Sequence, residues 1–104
     1  MKYYAVAEID ITKPNWIAAY VEHTTKLVEQ HGGRYLARTP NFEKIEGDRP
    51  LPQIYLIIEW PSKEAAQAFY TSDEYKPHLD SRRNGSTGEF VLVAGEDVNG
   101  VAHM

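Results

Sequence analysis

Three observations predict an α+β fold for this chain, with a four-stranded antiparallel sheet carrying its helices on one face. The segment "QIYLIIEW" is a near-continuous apolar run of strand length, the pattern of a central strand buried on one face and mostly on the other. Between Trp16 and His31 the apolar residues recur at helical spacing and mark one amphipathic helix. Two further strand-like segments, Tyr3 to Ile11 and "GEFVLVAGE", open and close the chain.

In chain order, Tyr3 to Ile11 is rich in β-branched and aromatic residues and stops near Thr12 and Pro14, a strand leading into a helix start. Pro14 is expected in the first helical turn, where its missing N–H is harmless. Trp16, Ile17, Tyr20, Val21, Thr24, Leu27, Val28 and His31 then form one stripe of about four turns. Gly32 and Gly33 end it, because glycine accepts the left-handed conformation of a helix C-terminus. "RYLAR" begins a second strand, expected to pause at Pro40, resume through "FEKIEG" and turn at "GDRPLP". After "QIYLIIEW", the run "PSKEAAQAFY" reads as a helix with Ser62 as N-cap and with Ala66, Phe69 and Tyr70 inward. Ser72 should cap a short helix through Arg83, on which Tyr75, Leu79 and Arg82 share a face.

The order β-α-β-β-α-β with right-handed crossovers builds the ferredoxin-like plan over residues 1–96, with 97–104 as a C-terminal tail. Ile54, Leu56, Ile58 and Trp60 should lie under the helices beside Tyr3, Ala5, Ala7 and Ile9. The opposite face would show Tyr4, Val6, Tyr55, Ile57, Val91 and Val93 among Glu8, Asp10 and Glu59. So large an apolar patch on a small domain usually has a partner, and a homodimer joined through the sheet faces covers it.

Composition narrows the function classes. The 104 residues are 42% hydrophobic and 25% charged, which makes an ordinary globular chain, and a net charge of −4 offers no basic field to a phosphate backbone. Nucleic-acid binding is therefore not expected. Without cysteine there is no disulfide, thiolate zinc site or cysteine nucleophile, and a reducing, cytoplasmic setting is the default. The N-terminus carries neither an apolar leader core nor a spanning segment, so no membrane association is expected. His23, His31, His78 and His103 make no HExxH pair and no carboxylate loop has calcium spacing, so no metal is assigned; no cofactor is assigned either.

The run "HGGRYLAR", the turn "EGDRP", the stretch "EWPSKEAAQAFYTSDEY" and the closing "FVLVAGE" together resemble the domain-of-unknown-function 1330 family, in order over residues 3 to 96. The resemblance implies a homodimeric ferredoxin-like fold, the dimeric α/β barrel, shared with antibiotic-biosynthesis monooxygenases and muconolactone isomerases. It implies no reaction. Arg49 departs from the pattern by standing in "EGDRP" where an aromatic residue is expected.

The candidate site residues follow from chemistry. Strict alternation puts Arg34, Leu36 and Arg38 on one side of the second strand, and neither a core face nor a solvent face is built that way. If that side lies under the helices, Arg38 and Arg82 can converge on a carboxylate or phosphate; alternatively Arg38 pairs with Asp10, Glu43 or Glu59. His23, beside the stripe of the first helix, is the candidate general base, against a plain hydrogen-bonded surface role. His31 suits a helix C-terminus. Tyr20, Tyr70 and Tyr75 either line an aromatic pocket or pack in the core, and Trp16 and Trp60 belong to the core or the pocket wall. Three functions remain open: an enzyme acting without metal on an aromatic or carboxylate compound in a helix-sheet cleft, a dimeric metabolite-binding module, and a structural dimer without ligand.

Overall fold

The computed structural model describes residues 1–99; of the tail expected over 97–104, residues 100–104 lie outside the described residues. Strand β1 (Tyr3–Ile11) leads to α1 (Ile17–Gln30), β2 (Arg34–Thr39), β3 (Ile54–Trp60), α2 (Lys63–Tyr70), α3 (Lys76–Gly85) and β4 (Ser86–Ala94). The strands form one antiparallel sheet in the order β2-β3-β1-β4, the ferredoxin-like topology, with β2 and β4 at the edges.

Local chemistry explains the element ends. Gly32 takes φ +89°, and the Gly33 N–H returns to the Val28 carbonyl at 2.8 Å, which closes α1. The Ser62 hydroxyl accepts the Ala65 N–H at 3.1 Å, and Glu64 sits favourably in the first turn of α2. The start of α1 differs from expectation: Pro14 lies in the preceding turn, its carbonyl accepting the Ile17 N–H. Ser72 caps the turn before α3, accepting from the Tyr75 N–H while its hydroxyl donates to the Phe69 carbonyl, so the helix itself begins at Lys76.

Pairing of β1 with β3 sets Ala5, Ala7 and Ile9 against Ile58, Leu56 and Ile54, the helix-side row. Ala7, Ile9, Leu56 and Ile58 of this row form the core with Trp60, Val28, Ala66, Phe69 and Tyr75, and Ala5 and Ile54 pack against it partly buried. The outer face carries Tyr4 opposite Val93, and Val6 between Ile57 and Val91, with Val91 53% and Val93 46% exposed. Two ionic clusters flank this patch. Glu59 sits between Lys2 and Arg34, and Arg49 grips Glu8 through Nη2 at 2.8 Å while Tyr55 donates to the same carboxylate.

Strand β2 departs from simple alternation. Tyr35 pairs with Ile58 and Ala37 with Ile57, so Leu36 is an extra residue, a β-bulge. The bulge resets the register: Arg34 faces outward opposite Glu59, whereas Arg38 pairs with Leu56 and faces the helices. The three residues expected on one side are thus divided, and Leu36 is left 47% exposed. The expected continuation of β2 through "FEKIEG" is absent as well. Residues 40–53 form no strand, and residues 41–50 are exposed throughout. Phe42 packs edge-on against Tyr55, Lys44 donates to the Arg49 carbonyl, and Arg49 holds Glu8. These contacts pin the loop to the outer sheet face, and the Arg49 that replaces an expected aromatic residue is the residue that pins it.

Candidate functional site

The candidate site grows from the packing of α1 and α3 over the sheet. Tyr20 points inward from α1, and Tyr75 comes from the turn before α3; their hydroxyls lie 2.6 Å apart. Arg82, two turns further along the Tyr75 face of α3, is 8% exposed and lays its guanidinium 4.3 Å from the centre of the Phe90 ring on β4. Both tyrosine hydroxyls are its polar neighbours. Burial works against the Arg82 charge, but Tyr75 and then Tyr20 outweigh it, so its pKa rises above the ordinary arginine value. Burial, followed by the proximity of Tyr75, pushes the Tyr20 phenol far above its usual range and keeps it protonated.

What Arg82 lacks is equally defined. Among the described residues no carboxylate stands within ion-pair distance of it, and its buried Nε–H has no acceptor. Arg82 borders an open cleft of about 460 Å³ shared with Tyr70, Arg83, Ser86, Thr87, Gly88 and Phe90. Gly88 is required there: φ is +151°, and a side chain would strike the Glu8 carbonyl. A buried guanidinium without a counter-ion is costly unless something supplies one, and its planar fork matches a carboxylate or phosphate.

The remaining candidates have other surroundings. Arg38 is exposed; it donates to the Thr25 hydroxyl at 2.8 Å and covers the Tyr35 ring at 3.9 Å. It pairs with none of Asp10, Glu43 or Glu59. Arg38 does not line the Arg82 cleft, and the two guanidiniums lie over different rings, Tyr35 on β2 and Phe90 on β4. His23 is exposed on α1 and stacks on His78 of α3 with ring centres 5.1 Å apart, away from the Arg82 cleft. The His31 ring donates to the Leu27 carbonyl at 2.9 Å, a helix-end contact. Tyr70, expected inward, is 38% exposed and borders the cleft. Trp16 donates to the Gly85 carbonyl at 3.0 Å and ties the start of α1 to the end of α3; Trp60 is core. Sequence reasoning missed Arg83 at the cleft. No group of three potential metal ligands occurs among the described residues, and none of their helices is long and apolar enough to cross a membrane.

Residues 2–96 match the family described as Domain of unknown function (DUF1330). The chain belongs to that family. Among solved structures it is similar to the RPA0582 protein of unknown function from Rhodopseudomonas palustris, at 13% identity and TM-score 0.75, covering 92% of this chain and 83% of that one. It is also similar to SnoaB, a cofactor-independent oxygenase from Streptomyces nogalater, at 17% identity and TM-score 0.63, covering 92% and 94%. A putative antibiotic biosynthesis monooxygenase from Nitrosomonas europaea follows at 17% identity and TM-score 0.52, covering 90% and 89%. At these identities the likeness shows the shared fold alone. No curated protein matches the chain.

Proposed function

We propose that this DUF1330 protein is a homodimeric small-molecule protein that holds an organic anion in the helix-sheet cleft at Arg82. One observation carries the reading: Arg82 is 8% exposed, its Nε–H has no acceptor, and it borders an open cleft. The open cleft and the absence of a carboxylate partner among the described residues support a ligand over a purely structural role for Arg82. Tyr20 and Tyr75 lie outside the cleft lining and support the guanidinium from the core side, while Arg38 lies against Tyr35 and Thr25.

Binding is favoured over catalysis because no histidine or carboxylate lines the Arg82 cleft. The catalytic reading draws on the fold shared with SnoaB, a cofactor-independent oxygenase, and on His23 as its proton-handling group. The half-exposed Val91 and Val93, beside Tyr4, Val6 and Ile57, support dimerisation through the outer sheet face. A chain without cysteine suits a reducing compartment, and a cytoplasmic location is part of the proposal.

The test is a thermal-shift screen of small carboxylates and phosphates against the wild type, Arg82→Met and His23→Ala. Stabilisation of the wild type and of His23→Ala, lost in Arg82→Met, supports the binding reading. No shift with any anion overturns it.

A further inference from the structure

Tyr70 and Phe90 each border two openings. On one side is the polar chamber of Arg82 and Arg83. On the other is a groove of about 310 Å³ between α2 and the second half of β4, walled by Trp60, Ala66, Phe69 and Leu92. Gln67 and Thr71 are its polar side chains apart from Tyr70, and the remaining lining is aliphatic or aromatic. The groove follows from the layer geometry. Helix α2 lies over β1 and β3, so the helix side of edge strand β4 is left partly bare. Leu92, which pairs with Ala5 and faces the helices, is 36% exposed at a position that would be covered in a closed core.

The two openings are complementary in kind. Neither is lined by an acidic residue, although the chain carries a net charge of −4. An inorganic anion would satisfy Arg82 and leave the groove wet, whereas a neutral apolar compound would fill the groove and leave the Nε–H unpaired. One occupant answers both. Resting on the anion-binding reading above, we infer that the ligand is an amphipathic organic anion. Its oxyanion sits against Arg82 and Arg83, and its aromatic or aliphatic body passes Phe90 into the groove between α2 and β4. Together the openings suit a compound of ordinary metabolite size.

Calorimetric titration of the full chain tests this with acetate, butanoate, hexanoate, octanoate, octyl phosphate and octan-1-ol. Affinity should rise by roughly three- to fourfold for each added methylene that enters the groove. Octanoate should bind at least about tenfold more tightly than octanol, as expected for a charge-assisted pair with a buried guanidinium. The tighter of octanoate and octyl phosphate identifies the oxyanion, and either order supports the inference. Arg82→Met should reduce octanoate to the affinity of octanol. Leu92→Ser, at a partly exposed position, should flatten the chain-length dependence and leave acetate binding unchanged. Anion binding that depends on Arg82 but not on chain length overturns the inference while the anion reading stands. Equal binding of octanoate and octanol, or binding of no probe, overturns both.

Discussion

Deleting Leu36 should cost the fold little, which is unusual for a deletion inside a strand. The bulge makes Leu36 the extra residue between Tyr35, opposite Ile58, and Ala37, opposite Ile57. Removing it joins two residues that already face opposite sides, so Arg34 stays outward and Tyr35 and Arg38 stay towards the helices. Leu36 is 47% exposed, so the lost burial is about half that of a leucine, or about 1 kcal/mol. Regular ladder bonds regained by the edge strand return about 0.5–1.5 kcal/mol. The net change should stay within about 1 kcal/mol, or roughly 4–8 °C in Tm. The loop over residues 40–53, exposed from 40 to 51, has slack enough for a shift of one residue, about 3.4 Å. Urea unfolding of the deletion variant measures the change. If β2 instead alternated regularly, the deletion would turn every residue from Ala37 onward to the wrong face and strip Arg38 from Thr25. A loss above about 3 kcal/mol would refute the bulge argument.

Leu56→Ala should cost about 2–5 kcal/mol by chemical denaturation, since Leu56 is buried at the centre of the helix-side row; a loss under about 1 kcal/mol would deny that placement. The wild type should scatter light as a dimer at micromolar concentration, and Val91→Lys, on the exposed outer face, should give a folded monomer; a monomeric wild type contradicts the sheet-face interface. Hydrogen bonds from Lys2 and then Arg34 hold the Glu59 carboxyl below its ordinary value. Its contribution to stability is therefore present above the unfolded carboxyl value of about 4.3 and disappears as pH falls through the lower folded value. The Tm gap between wild type and Glu59→Gln should accordingly be open at neutral pH and close in acid, and a gap that widens in acid would reverse the assignment.

The regular parts of the fold were legible because their signals are periodic. The helix-side row of β3, the outer-face residues of β1 and β4, the Ser62 cap and the shared face of Tyr75, Leu79 and Arg82 all follow from spacing alone. The bulge at Leu36 was not legible, since counting by twos assumes that no residue is extra, and the positions of Arg34 and Arg38 failed with it. "FEKIEG" alternates well enough for a strand, but Arg49 and Phe42 tether it to the sheet face as a loop. The inward placement of Tyr20, Tyr75 and Arg82 was recoverable from helix faces. Arg83, the bare side of β4 and the stacking of His23 on His78 were not, because each depends on where α2 and α3 settle over the sheet, which no local pattern encodes.

The central claim is that Arg82 waits for an oxyanion, and the Nε–H group that now lacks an acceptor reports on it directly. In a nitrogen–proton correlation spectrum of the arginine Nε region, the Arg82 signal is the one that disappears in Arg82→Met. Titration with octanoate should move that signal downfield and slow its exchange with water, as a carboxylate oxygen accepts the bond. An Arg82 signal that stays fixed while octanoate saturates the protein elsewhere would contradict the account.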